Sequence, residues 1–270
     1  FRAQRMGEAT FSLFIRSYPP NRGYFIAAGQ RDVLDYLETL CFDANALDYL
    51  TQQKLFTEDF LHYLAGLRFT GDVWAIAEGR LFFADEPGLA ISAPIIEAQL
   101  IETFVINQIH LQTLIATKAA RCIQAAAGRP VVDFALRRTH GIDAGMKVAR
   151  SSYLAGFAGT SNLRAGQRYG IPTVGTMAHS FVMSFDHEIE AFRAYVASFP
   201  NNSILLIDTY DTLAAAGKAV EIAKEMAAQG QQLQGVRIDS GDLARLAVEV
   251  RKIFDEAGLK NGKIIGSGGV

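Results

Sequence analysis

The chain has 270 residues, half of them apolar and a fifth charged, with a formal net charge of −2. That balance suits a folded protein of cytoplasmic type with a large core, and it gives no electrostatic footprint for nucleic acid. No stretch reaches the roughly 18 uncharged apolar residues of a membrane span, no secretion signal opens the chain, and Cys41 and Cys122 stand far apart in unlike contexts, so neither a disulfide nor a metal site is expected of them.

Residues 1–30 are mixed and rich in aromatics, with a turn at Pro19-Pro20-Asn21-Arg22-Gly23 between strand-like runs. Residues 32–40 and 57–66 have amphipathic helical patterns, and Thr57 followed by Glu58 and Asp59 is a helix start. Short strand patterns follow over 69–92, with Gly71, Gly79 and Gly88 as turns. A long helical run is predicted from 95 to about 127, closed by Gly128 and then Pro130.

Beyond that helix the pattern changes. Apolar runs stand at 131–136, 173–178, 204–208, 236–239 and 264–265, and each of the first four leads into a helical segment, such as 213–229 before Gly230 and 243–257 before Gly258. From the second run onward the starts fall about 30 residues apart, the length of one βα unit. A further short strand fits near 159–162. Strands alternating with helices of this length imply a parallel sheet. No dinucleotide or P-loop glycine pattern follows the first strand. The fold class expected is α/β: a (β/α) barrel over 111–270, incomplete here, after a smaller N-terminal α/β domain over 1–110 that includes the start of the long linking helix. The chain opens on Phe1 and stops in Gly266-Ser267-Gly268-Gly269-Val270, which suggests a piece of a longer protein.

Polar residues gather at the carboxyl tips of these strands. They are Arg137-Arg138-Thr139-His140, Thr176 with His179, Asp208 with Asp211, and Arg237 with Asp239-Ser240. In a (β/α) barrel such tips converge on the face that holds the active site. A doubly wound open sheet also binds ligands at strand tips, so the barrel is preferred over it rather than proved.

The tip motifs are Phe134-Ala135-Leu136-Arg137-Arg138 with His140-Gly141, Gly175-Thr176-Met177-Ala178-His179-Ser180, Ile207-Asp208-Thr209-Tyr210-Asp211-Thr212, and Gly235-Val236-Arg237-Ile238-Asp239-Ser240-Gly241-Asp242. In that order they resemble nicotinate phosphoribosyltransferases, as do 69–76 and the run 96–121 with its Leu114-Ile115-Ala116-Thr117-Lys118-Ala119-Ala120-Arg121 stretch. The resemblance covers essentially the whole chain. It implies a two-domain type II phosphoribosyltransferase fold and a homodimer in which an aromatic residue reaches the site from the neighbouring subunit. The family places that aromatic upstream of Phe1, and its glycine-rich phosphate loops beyond Val270.

The reaction implied is transfer of phosphoribosyl from phosphoribosyl pyrophosphate to nicotinate, giving nicotinate mononucleotide and pyrophosphate in NAD salvage, with ATP as co-substrate and Mg²⁺ arriving with the phosphates. Such chemistry is mainly positioning and charge stabilisation. The resemblance makes His179 the histidine that ATP phosphorylates, with Asp208 as its orienting partner. A neutral imidazole can attack a phosphate when its other nitrogen donates to a carboxylate. The resemblance also has Phe134 stack on the pyridine ring, although strand alternation would equally make it core. Arg137 contacts the nicotinate or nucleotide, and burying it would need an anionic partner. Thr176 is a nicotinate contact, Arg237 a phosphoribosyl contact, and Asp239 a ribose-hydroxyl or magnesium group. Ser240-Gly241 opens a helix, so Ser240 is either a plain N-cap or part of a phosphate-receiving helix start. Asp211 reads as the cap of the helix at 213–229. His62, His110 and His187 read as structural or surface residues. No HExxH or CxxC pattern is present, and no dedicated protein metal site is expected.

Three alternatives stand beside this reading. One is a related nicotinamide or quinolinate phosphoribosyltransferase; another is a non-catalytic barrel fragment that binds phosphorylated ligands. The third, a Schiff-base aldolase, needs a lysine at a strand tip, and none of these strands ends in one.

Overall fold

Alternate apolar residues at Leu89, Ile91 and Ala93 make a strand buried on one face, and the first part of the fold is built on it. The computed structural model describes residues 1–268; Gly269 and Val270 lie outside the described residues. The chain divides into two compact units between Val174 and Gly175.

The first unit runs through β1 (Glu8–Leu13), β2 (Phe25–Ile26), α1 (Gln30–Thr39), α2 (Ala44–Gln52), α3 (Glu58–Gly66), β3 (Asp72–Ala75), β4 (Leu81–Phe82), β5 (Leu89–Pro94) and α4 (Ile95–Ala126). An antiparallel sheet has β5 at its centre, with Glu8 opposite Pro94 on one side and Asp72 opposite Ser92 on the other. The buried residues of α4 include Ala98, Ile101, Val105, Ile109, Ala116 and Ala119, spaced three, four or seven apart, so one face of the helix supplies the core. Ile101, Val105 and Ile109 join Val33, Leu37, Leu64 and Ile91 in that core. The helix ends with Ala127 itself in the left-handed region at φ 47°, one residue before the expected Gly128.

The same unit continues through β6 (Val132–Asp133), α5 (Ile142–Leu154), β7 (Gly159–Thr160) and α6 (Leu163–Tyr169). β6 and β7 are parallel, and Thr173 adds a parallel bridge to Thr160. The strand expected over 131–136 is therefore shorter than its apolar run. The cause is local: Asp133 Oδ1 accepts from Ala135 N at 2.8 Å, which bends the chain into a 3-10 turn at Leu136–Arg138. The run 173–178 likewise pairs only at Thr173 among the described residues. A charged cluster fixes α5 to its surroundings. Arg150 grips Glu78 with both terminal nitrogens, Glu78 also accepts from Gly29 N, and Lys147 pairs with Asp32 at 2.7 Å.

The second unit contains α7 (His179–Val182), α8 (Glu188–Ser198), β8 (Ile204–Leu206), α9 (Thr212–Ala228), β9 (Gly235–Ile238), α10 (Leu243–Glu256) and β10 (Lys263–Gly266). The sheet is parallel in the order β10-β9-β8, and Gly235 stands opposite both Ile204 and Lys263. Leu205, Leu206, Ile207, Val236 and Ile238 are buried with Phe192 and Phe254 in one core. The near-continuous apolar runs of β8 and β9 are what a sheet covered on both faces requires. Buried Ala215, Ala216, Ala219 and Ala223 line the inner face of α9 with small side chains.

Asp211 caps α9 by accepting from Ala214 N at 2.7 Å, as expected. Asp242 caps α10, accepting from Arg245 N at 3.0 Å. Ser240 is thus not the cap of that helix. Its hydroxyl is turned to a different partner, described below. Thr57 precedes α3 as expected but makes no side-chain capping bond.

Candidate active site

Parallel pairing puts the carboxyl ends of β8, β9 and β10 on one edge, because Leu206 stands opposite Arg237 and Gly266 opposite Ile238. Asp208 leaves the tip of β8, Asp239 and Ser240 leave β9, and Ser267 leaves β10. His179 begins α7 in the same unit.

These residues meet at the imidazole of His179. Its Nε2 lies 3.7 Å from Asp239 Oδ2 and 4.0 Å from Asp208 Oδ1. Its Nδ1 lies 3.2 Å from Thr209 Oγ1. One edge of the ring thus faces two carboxylates and the other faces a hydroxyl. The carboxylate distances exceed an N–H···O hydrogen bond, so the pull is electrostatic in this state. The His179 side chain is 39% exposed, open enough to meet a substrate, while the Asp208 side chain is 2% exposed. Asp208 Oδ1 makes no hydrogen bond among the described residues. A buried carboxylate oxygen in that condition is costly unless a donor or cation arrives.

Each carboxylate is held by a serine. Ser240 Oγ donates to Asp208 Oδ2 at 2.5 Å, and Ser267 Oγ donates to Asp239 Oδ1. Next to this group, Arg237 Nη1 donates to Thr176 Oγ1 at 2.7 Å. Burial raises the phenol of Tyr195 above its ordinary range, and the nearby positive charge of Arg237 partly offsets that rise.

The second unit therefore brings together His179, Asp208, Thr176, Arg237, Asp239 and Ser240 of the expected set. Gly241 sits in the turn before Asp242 with φ +79°. Phe134 and Arg137 belong to the first unit. Phe134 lies just past β6 and is half-buried, and Arg137 is exposed on the 3-10 turn rather than at a buried strand tip. Thr209 and Ser267 were not singled out in the sequence. Their signals are slight: Thr209 adjoins Asp208, and Ser267 interrupts a glycine run. Cys41 and Cys122 are free thiols, Cys41 exposed. No group of three or more His, Cys, Asp and Glu side chains among the described residues is gathered for a metal ion. No helix among them is long and apolar enough to cross a membrane.

The chain also resembles known proteins along nearly its whole length. A model described as the nicotinate phosphoribosyltransferase (NAPRTase) N-terminal domain matches residues 1–110, and the NAPRTase family model matches residues 130–266. The chain belongs to the nicotinate phosphoribosyltransferase family. "Nicotinate phosphoribosyltransferase pncB2" of Mycobacterium tuberculosis is 54% identical over 99% of this chain and 58% of that protein. "Nicotinate phosphoribosyltransferase" of Bacillus subtilis is 43% identical over 96% of this chain and 53% of its own length. The chain thus spans somewhat more than half of these curated relatives. The crystal structure of human nicotinic acid phosphoribosyltransferase matches with a TM-score of 0.90 at 30% identity, covering 98% of this chain and 65% of that one. A nicotinate-nucleotide pyrophosphorylase from Pyrococcus furiosus shares the fold at a TM-score of 0.81 and 24% identity, over 100% of this chain and 62% of that one. The fold is that of the type II phosphoribosyltransferases, with an N-terminal α/β domain and barrel strands that follow it.

Proposed function

We propose that this chain carries the phosphoryl-accepting centre of a nicotinate phosphoribosyltransferase, an enzyme that joins nicotinate to phosphoribosyl pyrophosphate and couples the transfer to ATP through His179. The observation that carries the reading is the asymmetry around the His179 ring, with two carboxylates facing Nε2 and one hydroxyl at Nδ1.

Carboxylates only accept, so they favour the tautomer with its proton on Nε2. Nδ1 then keeps its lone pair and accepts from the Thr209 hydroxyl. Releasing that hydroxyl costs about one ordinary hydrogen bond, on the order of 1 kcal/mol. The freed lone pair attacks the γ-phosphorus of ATP, the P–O bond to ADP breaks, and ADP leaves with that oxygen. The ring becomes cationic and keeps its Nε2 proton. Asp208 and Asp239 are where that positive charge needs them. A fixed pair of carboxylates aimed at developing charge lowers the barrier without reorganising at the moment of reaction. Hydrolysis of the phosphohistidine later returns the neutral ring.

Arg237 suits the anionic phosphoribosyl group, because a guanidinium fork matches phosphate geometry. Asp239 suits ribose hydroxyls, and Ser240-Gly241, just ahead of α10, suits a phosphate oxygen. Mg²⁺ enters with the phosphates, and single oxygens of Asp208 and Asp239 suit it as hard ligands. Phe134 and Arg137 retain the base-side roles that the family resemblance implies. The working protein is proposed as a homodimer.

The test uses the full-length protein with nicotinate, phosphoribosyl pyrophosphate, Mg²⁺ and ATP, following nicotinate mononucleotide, with His179→Ala and a nicotinamide arm alongside. Product from nicotinate, ATP stimulation and a labelled phosphoenzyme, the last two lost in His179→Ala, are the expected results. Absence of product from either base in a folded protein would sink the proposal and favour a ligand-binding barrel.

A further inference from the structure

The turn after β10 is built tightly against the end of β9. Ser267 N donates to Ile238 O at 2.9 Å, and Ser267 Oγ reaches Asp239 Oδ1. Gly268 follows with φ +97°, and a Cβ there would lie 2.2 Å from Asp239 O. Only glycine permits that approach. The backbone of this turn is therefore fixed on the same residue whose side chain Ser267 holds. The result is a defined rotamer for Asp239, with Oδ1 occupied by the serine and Oδ2 turned to His179 Nε2.

We propose that Ser267 is a positioning residue of the phosphoryl-accepting centre: it fixes Asp239 so that Oδ2 faces Nε2 of His179 and selects the tautomer whose nucleophilic nitrogen is Nδ1. This rests on the reading of His179 given above. The arrangement repeats on the neighbouring strand, where Ser240 occupies Asp208 Oδ2 and leaves Oδ1 toward the ring. Each hydroxyl takes one oxygen of a carboxylate that stands near another carboxylate. Without Ser267, Asp239 loses a donor to Oδ1, and the hold that keeps Oδ2 facing the ring is weakened. The imidazole then loses part of the field that holds its proton on Nε2, and the two tautomers approach equal population.

The experiment has two readouts on the full-length protein. The first is the rate of phosphoenzyme formation from γ-labelled ATP in a single turnover. The second is the ratio of His179 tautomers from ring-nitrogen chemical shifts, measured without ATP and with His179→Ala to assign the signal. Ser267→Ala is expected to slow phosphoenzyme formation about tenfold at saturating ATP, the scale of one hydrogen bond to a charged group. It is also expected to shift the tautomer ratio. Ser267→Thr, which keeps the hydroxyl, is expected to retain both. Wild-type rate and ratio in Ser267→Ala overturn the proposal. If Ser267→Ala loses its cooperative melting transition, Ser267→Cys, similar in shape but a weaker donor, is read for the same two quantities. If the wild-type protein forms no phosphoenzyme, the ATP reading of His179 fails by itself. The tautomer ratio then decides, a shift upholding the positioning role and an unchanged ratio overturning it.

Discussion

Arg237 and Thr176 are joined by a 2.7 Å hydrogen bond from Nη1 to Oγ1, so the guanidinium on β9 is steered by the segment that leads into His179. A strand-tip arginine is a long side chain with many rotamers, and a fixed acceptor reduces the entropy lost when it meets an anion. Thr176 was expected as a contact of its own. The structure gives it a partner in Arg237, the residue proposed above to meet the phosphoribosyl group.

Thr176→Val keeps the shape and removes the acceptor. It is expected to raise KM for phosphoribosyl pyrophosphate by about tenfold, the value of one charge-assisted hydrogen bond, as well as KM for nicotinate. Steady-state kinetics with each substrate varied in turn will check this. A rise confined to nicotinate shows that Thr176 acts on the base alone and that its bond to Arg237 has no catalytic consequence.

Helix starts give a second prediction. Asp211→Ala and Asp242→Ala each remove a side-chain acceptor from an exposed helix N-terminus. Each is expected to cost about 1 kcal/mol in urea unfolding. Ser240→Ala tests the distinction drawn for α10. Its cost should appear as altered phosphoenzyme chemistry, because its hydroxyl serves Asp208 rather than the helix. Equal stability losses in Asp242→Ala and Ser240→Ala would contradict that division.

The pair Arg150–Glu78 supplies a pH-dependent term. Burial by itself would raise the Glu78 carboxyl; hydrogen bonds and charge from Arg150, with the amides of Gly29 and Arg31, outweigh it and hold the carboxyl below its ordinary 4.5. A lowered carboxylate contributes stability that is complete above the ordinary value and disappears as pH falls through the folded-state value. Glu78→Gln is therefore expected to cost about 3 kcal/mol at neutral pH, where it leaves Arg150 without its carboxylate. The gap between wild type and Glu78→Gln should close progressively below pH 4.5. Denaturant unfolding across pH 3 to 7 measures it, and a constant gap would remove Glu78 as the titrating group.

Much of this architecture was legible in the sequence because it depends on periodicity and local punctuation. The long α4 follows from apolar spacing, and α9 from apolar spacing with Asp211 at its start and Gly230 after it; α10 was legible as a helix, but its cap is Asp242 where the sequence offered Ser240. What escaped notice depends on tertiary partners or on short-range competition. The side chain of Asp133 diverts the chain after β6, although the apolar run 131–136 reads as continuous strand. α2 was not read as a helix, and its Leu47 and Leu50 are only partly buried against the first core. His179 and its carboxylates were readable as types at strand tips. Thr209 and Ser267 were not, because a hydroxyl acquires its meaning from the group that folding places beside it.

Two glycines of the second unit give opposite expectations from one substitution. Gly217 lies on the exposed side of α9, and a Cβ there meets nothing within 4 Å. Gly217→Ala is expected to stabilise by about 1 kcal/mol, since a helix-interior glycine loses more backbone freedom on folding than alanine does. Gly235 stands in β9 between two parallel neighbours, and its Cβ would lie 2.2 Å from Lys263 O and 2.9 Å from Lys263 Cβ. Backbone atoms of a paired strand cannot yield as a flexible side chain does. Gly235→Ala must therefore push β10 away, breaking pairing at the start of the strand that carries Ser267. An expected loss of about 3 kcal/mol or more follows from overpacking together with the lost ladder bonds. Thermal melting of both variants beside wild type checks the pair, with Gly217→Ala melting higher and Gly235→Ala lower. A Gly235→Ala protein as stable as wild type would mean that β9 and β10 are not paired in the register described.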